Sequence, residues 1–498
     1  MEKAYAELKQ RLAEIADLSK AGGVLGWDQR VMMPPLGTEA RAEVLGTLGR
    51  IIHEAFVDDE IGRLLDKLEG YADSLPYESD EASLIRVTRR DWEKARRVPT
   101  ELEVEMTREA ARGHHAWVEA RRNADFGSFL PYLRTNVELK RRYADCFEWS
   151  DSPYTPLLDD YEPGMTTTDV KTVFDVLRPA LTELVAEAPE VDASFLEGSF
   201  DADKQRELAE RMIATLGFED GAWRLDPTAH PFCTSFSNRD VRLTTRYHED
   251  NLESVWSCLH EAGHGLYAHG IASTLSRTPL AGSPSLGLNE SQSRTWENLV
   301  GRSRPFWLHW YEPLQQTFPD AFGDVELDSF LRAINRAEPG LIRVDADETT
   351  YSLHIILRFE LEQQLVDGTV ELDDLPEVWN VKMKDFLGVD VPDDGVGVLQ
   401  DVHWSSGGIG YFPTYALGNL IAGQLWQRAH SDIGDLDERL AAGDLGTLRE
   451  WLRERVHRHG AKFAMPELLK RVTGGQIAVG PFVEYLKAKL SDVYSVRL

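Results

Sequence analysis

The chain has 498 residues, 42% of them hydrophobic and 13 of them Trp, which excludes intrinsic disorder and supplies ample material for a core. Its 84 acidic residues outnumber 54 basic ones, giving a formal net charge of −30. So strong a polyanion repels nucleic acid and anionic lipid, so neither nucleic acid nor membrane is expected as a partner.

The start of the chain, residues 1–17, is charged and amphipathic, with Tyr5, Leu8, Leu12 and Ile15 on one helical face. It lacks the apolar centre of a secretory signal, and no apolar run reaches the roughly 18 residues of a membrane span, so a cytoplasmic enzyme is expected. Cys146, Cys233 and Cys258 are odd in number and far apart, which argues against a disulfide framework. Only 14 of the 54 basic residues are Lys. An acid-rich, lysine-poor surface suits high salt, where screening relieves self-repulsion, so a halophilic source is expected.

Helical periodicity dominates the rest of the chain. Thr100 with Glu103 reads as a capping box opening a helix towards Asn123. Val170, Val173, Leu177, Leu181 and Leu184 form one apolar stripe, and Leu208, Met212, Ile213 and Leu216 another, stopped by Gly217. Asp240 to Tyr247 differs: Val241, Leu243, Thr245 and Tyr247 alternate with Asp240, Arg242, Thr244 and Arg246, the period of a strand. Such a strand could wall a substrate cleft and pair with an extended peptide; its plainer reading is an ordinary edge strand. Further helical stripes run over about 346–366, 415–430 and 447–459. The Pro- and Gly-rich breaks read as loops within one unit, so a single catalytic domain spanning 1–498 is expected.

The run His260-Glu261-Ala262-Gly263-His264 comes shortly after the strand. Residues four apart share a helix face, so both imidazoles can meet one ion, while Glu261 lies about 100° round, within reach of a metal-bound water. That is the arrangement for metal-assisted peptide hydrolysis. Asp250 or Asn251 can cap the helix. Cys258 points away from the metal face, and Cys233 reads as a small buried side chain. A catalytic zinc takes three protein ligands and leaves one position open. His269, about 140° off the face of His264, reads as a helix-end histidine. Glu290, Arg294 and Glu297 share a face of a downstream helix, and Glu290 near its start is the candidate third ligand. Glu297 is then free to pair with Arg294 or to hold a ligand histidine.

Several motifs, taken together and in order, resemble the carboxypeptidase Taq family of metallocarboxypeptidases over nearly the whole chain. They are Trp27-Asp28-Gln29 with Met33-Pro34, His230-Pro231-Phe232, Asp240-x-Arg242-x-Thr244, the metal motif, Glu290-Ser291-Gln292, Ile342 to Asp347, Asp401 to Ser405 and Gly410 to Tyr415. Asn289 stands where that family usually has His. The resemblance implies a mostly α, zincin-like fold with a small antiparallel sheet beside the active-site helix and long helices flanking a deep cleft. It also implies a cytoplasmic homodimer that removes C-terminal residues from peptides with broad specificity, using Zn2+ or, as the alternative, Co2+. It makes Glu290 the third ligand beside His260 and His264. Glu261 becomes the base, and Tyr415 and His403 candidates for stabilising the oxyanion, with Tyr411 nearby. Arg343 is the first choice for the substrate carboxylate and Arg242 the second. His230 and Phe232, with Asp240 on the strand, are expected to shape the pocket. The competing readings are a zinc endo-oligopeptidase and a non-catalytic zinc-binding scaffold.

Overall fold

A computed structural model describes residues 1–496. Helices account for most of the chain, and the described strands form one three-stranded sheet. No described helix is long and apolar enough to cross a membrane.

The first helix, Glu2–Val31, buries Leu8 and Leu12, as the amphipathic pattern requires. It turns back into Thr38–Phe56, a helix with no buried residue of its own. Helix Thr167–Glu187 buries Val170, Leu177, Leu181 and Leu184, and Ala202–Thr215 ends before Gly217, whose φ of +83° suits glycine. Two sequence expectations shift at helix starts. Thr100 lies inside its helix, with Pro99 at the cap and no side-chain cap bond, so the capping box does not form. The stripe expected from about Ala346 becomes helical only at Tyr351. Asp347 is the cause: its carboxylate accepts the backbone N–H groups of Thr349 and Thr350 at 2.8 and 3.0 Å and so holds the preceding turn open.

The sheet contains β1 (Trp223–Pro227), β2 (Cys233–Ser237) and β3 (Asp240–Thr245) in the order β1-β3-β2. It is mixed rather than antiparallel, because β1 runs parallel to β3 and only β2 opposes it. The strand read as an edge is therefore the centre, and a substrate peptide cannot add to β3, whose ladder groups are already paired. Val241 and Leu243 press on the metal-motif helix, Glu253–Gly270, at Gly265. Asp240 and Arg242 lie on the opposite face, against the first helix: the Arg242 guanidinium lies 4.4 Å from the Trp27 ring and 4.7 Å from that of Phe236. Lys20 of that helix donates to the Ser235 carbonyl at 2.8 Å, fastening the helix to β2.

Two buried apolar clusters meet at the metal-motif helix. Val255, Leu259 and Leu266 join one beneath the sheet, and Tyr267 joins the other, which includes Leu8 and Leu12 of the first helix. With both flanks packed, the helix can present only a narrow stripe to the site.

Candidate metal centre and peptide site

The metal-motif helix begins at Glu253, whose N–H is accepted by the Asn251 side chain at 3.0 Å. His260 and His264 project from one face with ring centroids 5.0 Å apart. Glu290 comes from helix Leu286–Arg294, whose Ser285 cap accepts the Leu288 N–H at 3.0 Å. Its Oε2 stands 3.7 Å from His260 Nε2 and 3.5 Å from His264 Nε2. Ligands on a tetrahedral ion with bonds near 2.05 Å lie about 3.3 Å apart, so two nitrogens and one carboxylate oxygen are in place for a divalent cation. One ligand atom from each residue falls within 4.8 Å of the others.

Close helix crossing makes this possible, and glycine makes the crossing possible. A Cβ on Gly263 would sit 2.5 Å from the Gln292 carbonyl oxygen. The backbone of the ligand helix therefore passes directly over the motif. Gly418, on helix Pro413–Ile433, plays the same part from the far side: a Cβ there would lie 2.8 Å from Glu290 Cγ.

Glu297 both pairs with Arg294 and bonds His260, a candidate ligand. Its Oε2 accepts from Arg294 Nη1 at 3.0 Å and meets His260 Nδ1 at 2.7 Å, which leaves Nε2 of that ring for the ion. Burial disfavours a charged His260, yet Glu290 and Glu297 outweigh it and lift the ring to about 9. Burial pushes Glu290 and Glu297 upward, but Arg294 and His260 overcome this, holding Glu290 well below the usual carboxylate range and Glu297 near about 2. Both carboxylates are thus ionised, and the field that favours a proton on His260 equally favours a cation between the rings. The donor set fits a metal. Glu261 is buried, and burial first, then Glu290 and Glu297, raise its carboxyl against the pull of the histidines.

Arg343 sits on a short turn, Arg343–Asp345, and is 6% exposed. Its Nε and Nη2 donate to Asp401 Oδ1 at 2.9 and 2.7 Å, and Nη1 donates to the Tyr351 hydroxyl at 2.9 Å. Arg358 holds the other oxygen of Asp401 at 2.6 Å. Tyr415 lies 5.1 Å from the Arg343 guanidinium, and its hydroxyl is 3.4 Å from His403 Nε2. Tyr411 packs on both, with ring centroids 5.1 Å from His403 and 5.4 Å from Tyr415. Burial, helped by Arg343 and Arg358, lowers His403 to about 4, and burial raises both tyrosines, so all three are neutral near pH 7.

The remaining sequence candidates lie on or beside the sheet. Arg242 is held in a bidentate pair with Asp240 at 3.0 and 3.2 Å. Phe232 lies under Arg30 of the first helix, 4.8 Å from its guanidinium, and His230 is exposed in the β1–β2 loop. His269 bonds the Asn238 carbonyl at 2.6 Å, in keeping with a helix-end histidine. Sequence reasoning missed Gly263, Gly418, Tyr351 and the Asp401–Arg358 pair. Gly263 left a signal, a glycine inside a helical motif, where it costs stability unless something passes close by.

The profile of the Carboxypeptidase Taq (M32) metallopeptidase family matches residues 7–490. Thermostable carboxypeptidase 1 of Thermus thermophilus is 40% identical over 507 aligned positions, covering 99% of each chain. Carboxypeptidase 1 of Bacillus subtilis is 37% identical, over 99% of this chain and 98% of its own. The crystal structure of the M32 carboxypeptidase from Deinococcus radiodurans R1 superposes with a TM-score of 0.94 at 38% identity, covering 99% of this chain and 100% of that one. The structure of Pyrococcus furiosus carboxypeptidase gives 0.95 at 35%, covering 98% of this chain and 99% of that one. With its fold and nearly its whole length shared, the chain belongs to the Carboxypeptidase Taq (M32) family and is a metallocarboxypeptidase, a metal-dependent peptide hydrolase.

Proposed function

We propose that the protein is a zinc carboxypeptidase of broad specificity in which His260, His264 and Glu290 hold the ion, Glu261 is the general base and Arg343 receives the substrate's terminal carboxylate. The observation that carries this reading is the N2O cluster, with Glu290 Oε2 3.5 and 3.7 Å from the two imidazole nitrogens, beside a buried glutamate.

When bound there, zinc supplies Lewis acidity, polarising a carbonyl oxygen and acidifying a coordinated water. Glu261 accepts the proton of the attacking water and returns it to the leaving amine. Tyr415 and His403, both neutral, offer donors to the developing oxyanion. Arg343 has five N–H groups, of which three bonds to Asp401 and Tyr351 take one each. The second N–H on each terminal nitrogen can grip a carboxylate end-on, in two parallel bonds. Arg242, paired with Asp240 and packed against the rings of Trp27 and Phe236, is the weaker choice.

The family likeness supports further readings: a cytoplasmic homodimer acting on peptides, with Co2+ able to replace Zn2+. The metal-motif helix shared by two cores supports one catalytic domain over 1–498. Digestion of a free-acid peptide and its C-terminal amide by the zinc-loaded protein, read by mass spectrometry, tests the exopeptidase reading. Stepwise loss of single residues from the free acid alone is expected. Equal cleavage of both peptides would identify an endo-oligopeptidase instead.

A further inference from the structure

The two oxygens of Glu290 have different surroundings. Oε2 faces the two imidazoles and also accepts a bond from Ser293 Oγ at 3.1 Å, whereas Oε1 accepts Arg294 Nε at 2.8 Å. The same guanidinium reaches Glu297 with Nη1 at 3.0 Å, and Glu297 fixes His260 at 2.7 Å. On its flat side it lies 4.4 Å from the ring of Tyr351, whose hydroxyl accepts from Arg343. One buried planar cation therefore touches the carboxylate of one ligand and the carboxylate that aligns another. Arg294 ends the ligand helix, and Glu297 lies in the wider π-helical turn Thr295–Val300 directly after it. Insertions of this kind recur at functional sites because they re-aim a side chain.

We propose that Arg294 is a positioning residue that makes Glu290 a one-oxygen ligand and keeps a coordination position open for the reacting water. This rests on the assignment of Glu290 as a ligand. A carboxylate free at both oxygens can chelate with both, and a site closed in that way leaves less room for water. With Oε1 held by a charge-assisted bond, chelation requires breaking that bond inside a buried site. A lysine keeps the charge but cannot span Glu290 and Glu297 at once.

Co2+ substitution tests this without relying on turnover. The wild-type protein, Arg294→Met and Arg294→Lys are loaded with Co2+. Visible absorption then reports coordination number, and competition with a chelator reports the metal dissociation constant. The expected result is a fall of about twofold or more in d–d absorptivity in both variants, marking a higher coordination number. A change of about 10- to 100-fold in metal affinity accompanies it, as is usual when a ligand's supporting bond is lost. In turnover, kcat falls while KM changes little. If Arg294→Met does not fold, Arg294→Lys, which retains the buried charge, carries the test alone. Wild-type spectra and affinity in the variants overturn the role of Arg294. Failure of the ligand assignment looks different: Glu290→Gln would bind Co2+ as tightly as the wild type and with the same spectrum.

Discussion

Asp401 joins two buried arginines, accepting Arg343 on one oxygen at 2.7 Å and Arg358 on the other at 2.6 Å. Burial resists its charge, but the two guanidiniums hold its carboxyl far below the ordinary range. The proposed carboxylate receptor is thus aimed from behind by an internal carboxylate. Asp401→Asn leaves two buried guanidiniums sharing a neutral amide, and a loss of about 3–5 kcal/mol in unfolding free energy is expected. Denaturant titration measures it; a change below about 1 kcal/mol would show that the cluster carries little of the fold.

Arg343→Ala is expected to lower kcat/KM for free-acid peptides by about 2–5 kcal/mol of lost transition-state binding, or 30-fold and more. Steady-state kinetics on free-acid and amidated pairs checks this. The variant should act on both equally poorly. An unchanged preference for the free acid would move the receptor elsewhere.

Gly263→Ala puts a methyl group 2.5 Å from the Gln292 carbonyl oxygen, closer than any real contact allows. The ligand helix must move away, and Glu290 moves with it. A stability loss of about 1–3 kcal/mol is expected, together with weaker metal retention on dialysis against a chelator. Full retention would mean that the crossing has slack.

Glu162 lies buried behind the ligand helix, its Oε1 accepting the Gly287 N–H. Burial, only partly offset by that bond and by Ser285, pushes its carboxyl up to about 8 from 4.5. Between these values the folded protein keeps a proton that the unfolded chain has lost, so stability is fully present below about pH 4.5 and falls as pH rises towards 8. Glu162→Gln removes this dependence. From pH 5 to pH 9 the wild type should lose roughly 2–4 kcal/mol more than the variant. Parallel pH profiles from denaturant melts would contradict it.

The charge of −30 carries its own expectation. Screening shortens from about 10 Å at 0.1 M salt to about 3 Å at 1 M, so the thermal midpoint should rise across that range in KCl. A flat or falling midpoint removes the argument for a halophilic source.

Much of the candidate metal cluster was legible because it is local. His260, Glu261 and His264 declare themselves by spacing, and Glu290, Arg294 and Glu297 by falling on one face of the next helix. The dual bonding of Glu297 was legible only as two alternatives, since choosing between them needs the distance between helices, and Gly263 sets that distance. The strand Asp240–Thr245 was legible as a strand, but its neighbours were not. Alternation reports faces and says nothing about pairing, so its central place and the parallel pairing with Trp223–Pro227 emerged only in three dimensions. Arg343 and Asp401 are 58 residues apart, and nothing local connects them.

The most direct test of the central claim is Glu261→Gln, with zinc content and turnover measured on the same sample. The isosteric amide removes the base and leaves His260, His264 and Glu290 untouched. One zinc per chain and a fall in kcat of at least about 10²- to 10⁴-fold are expected. Substantial turnover in a zinc-replete variant would contradict the account.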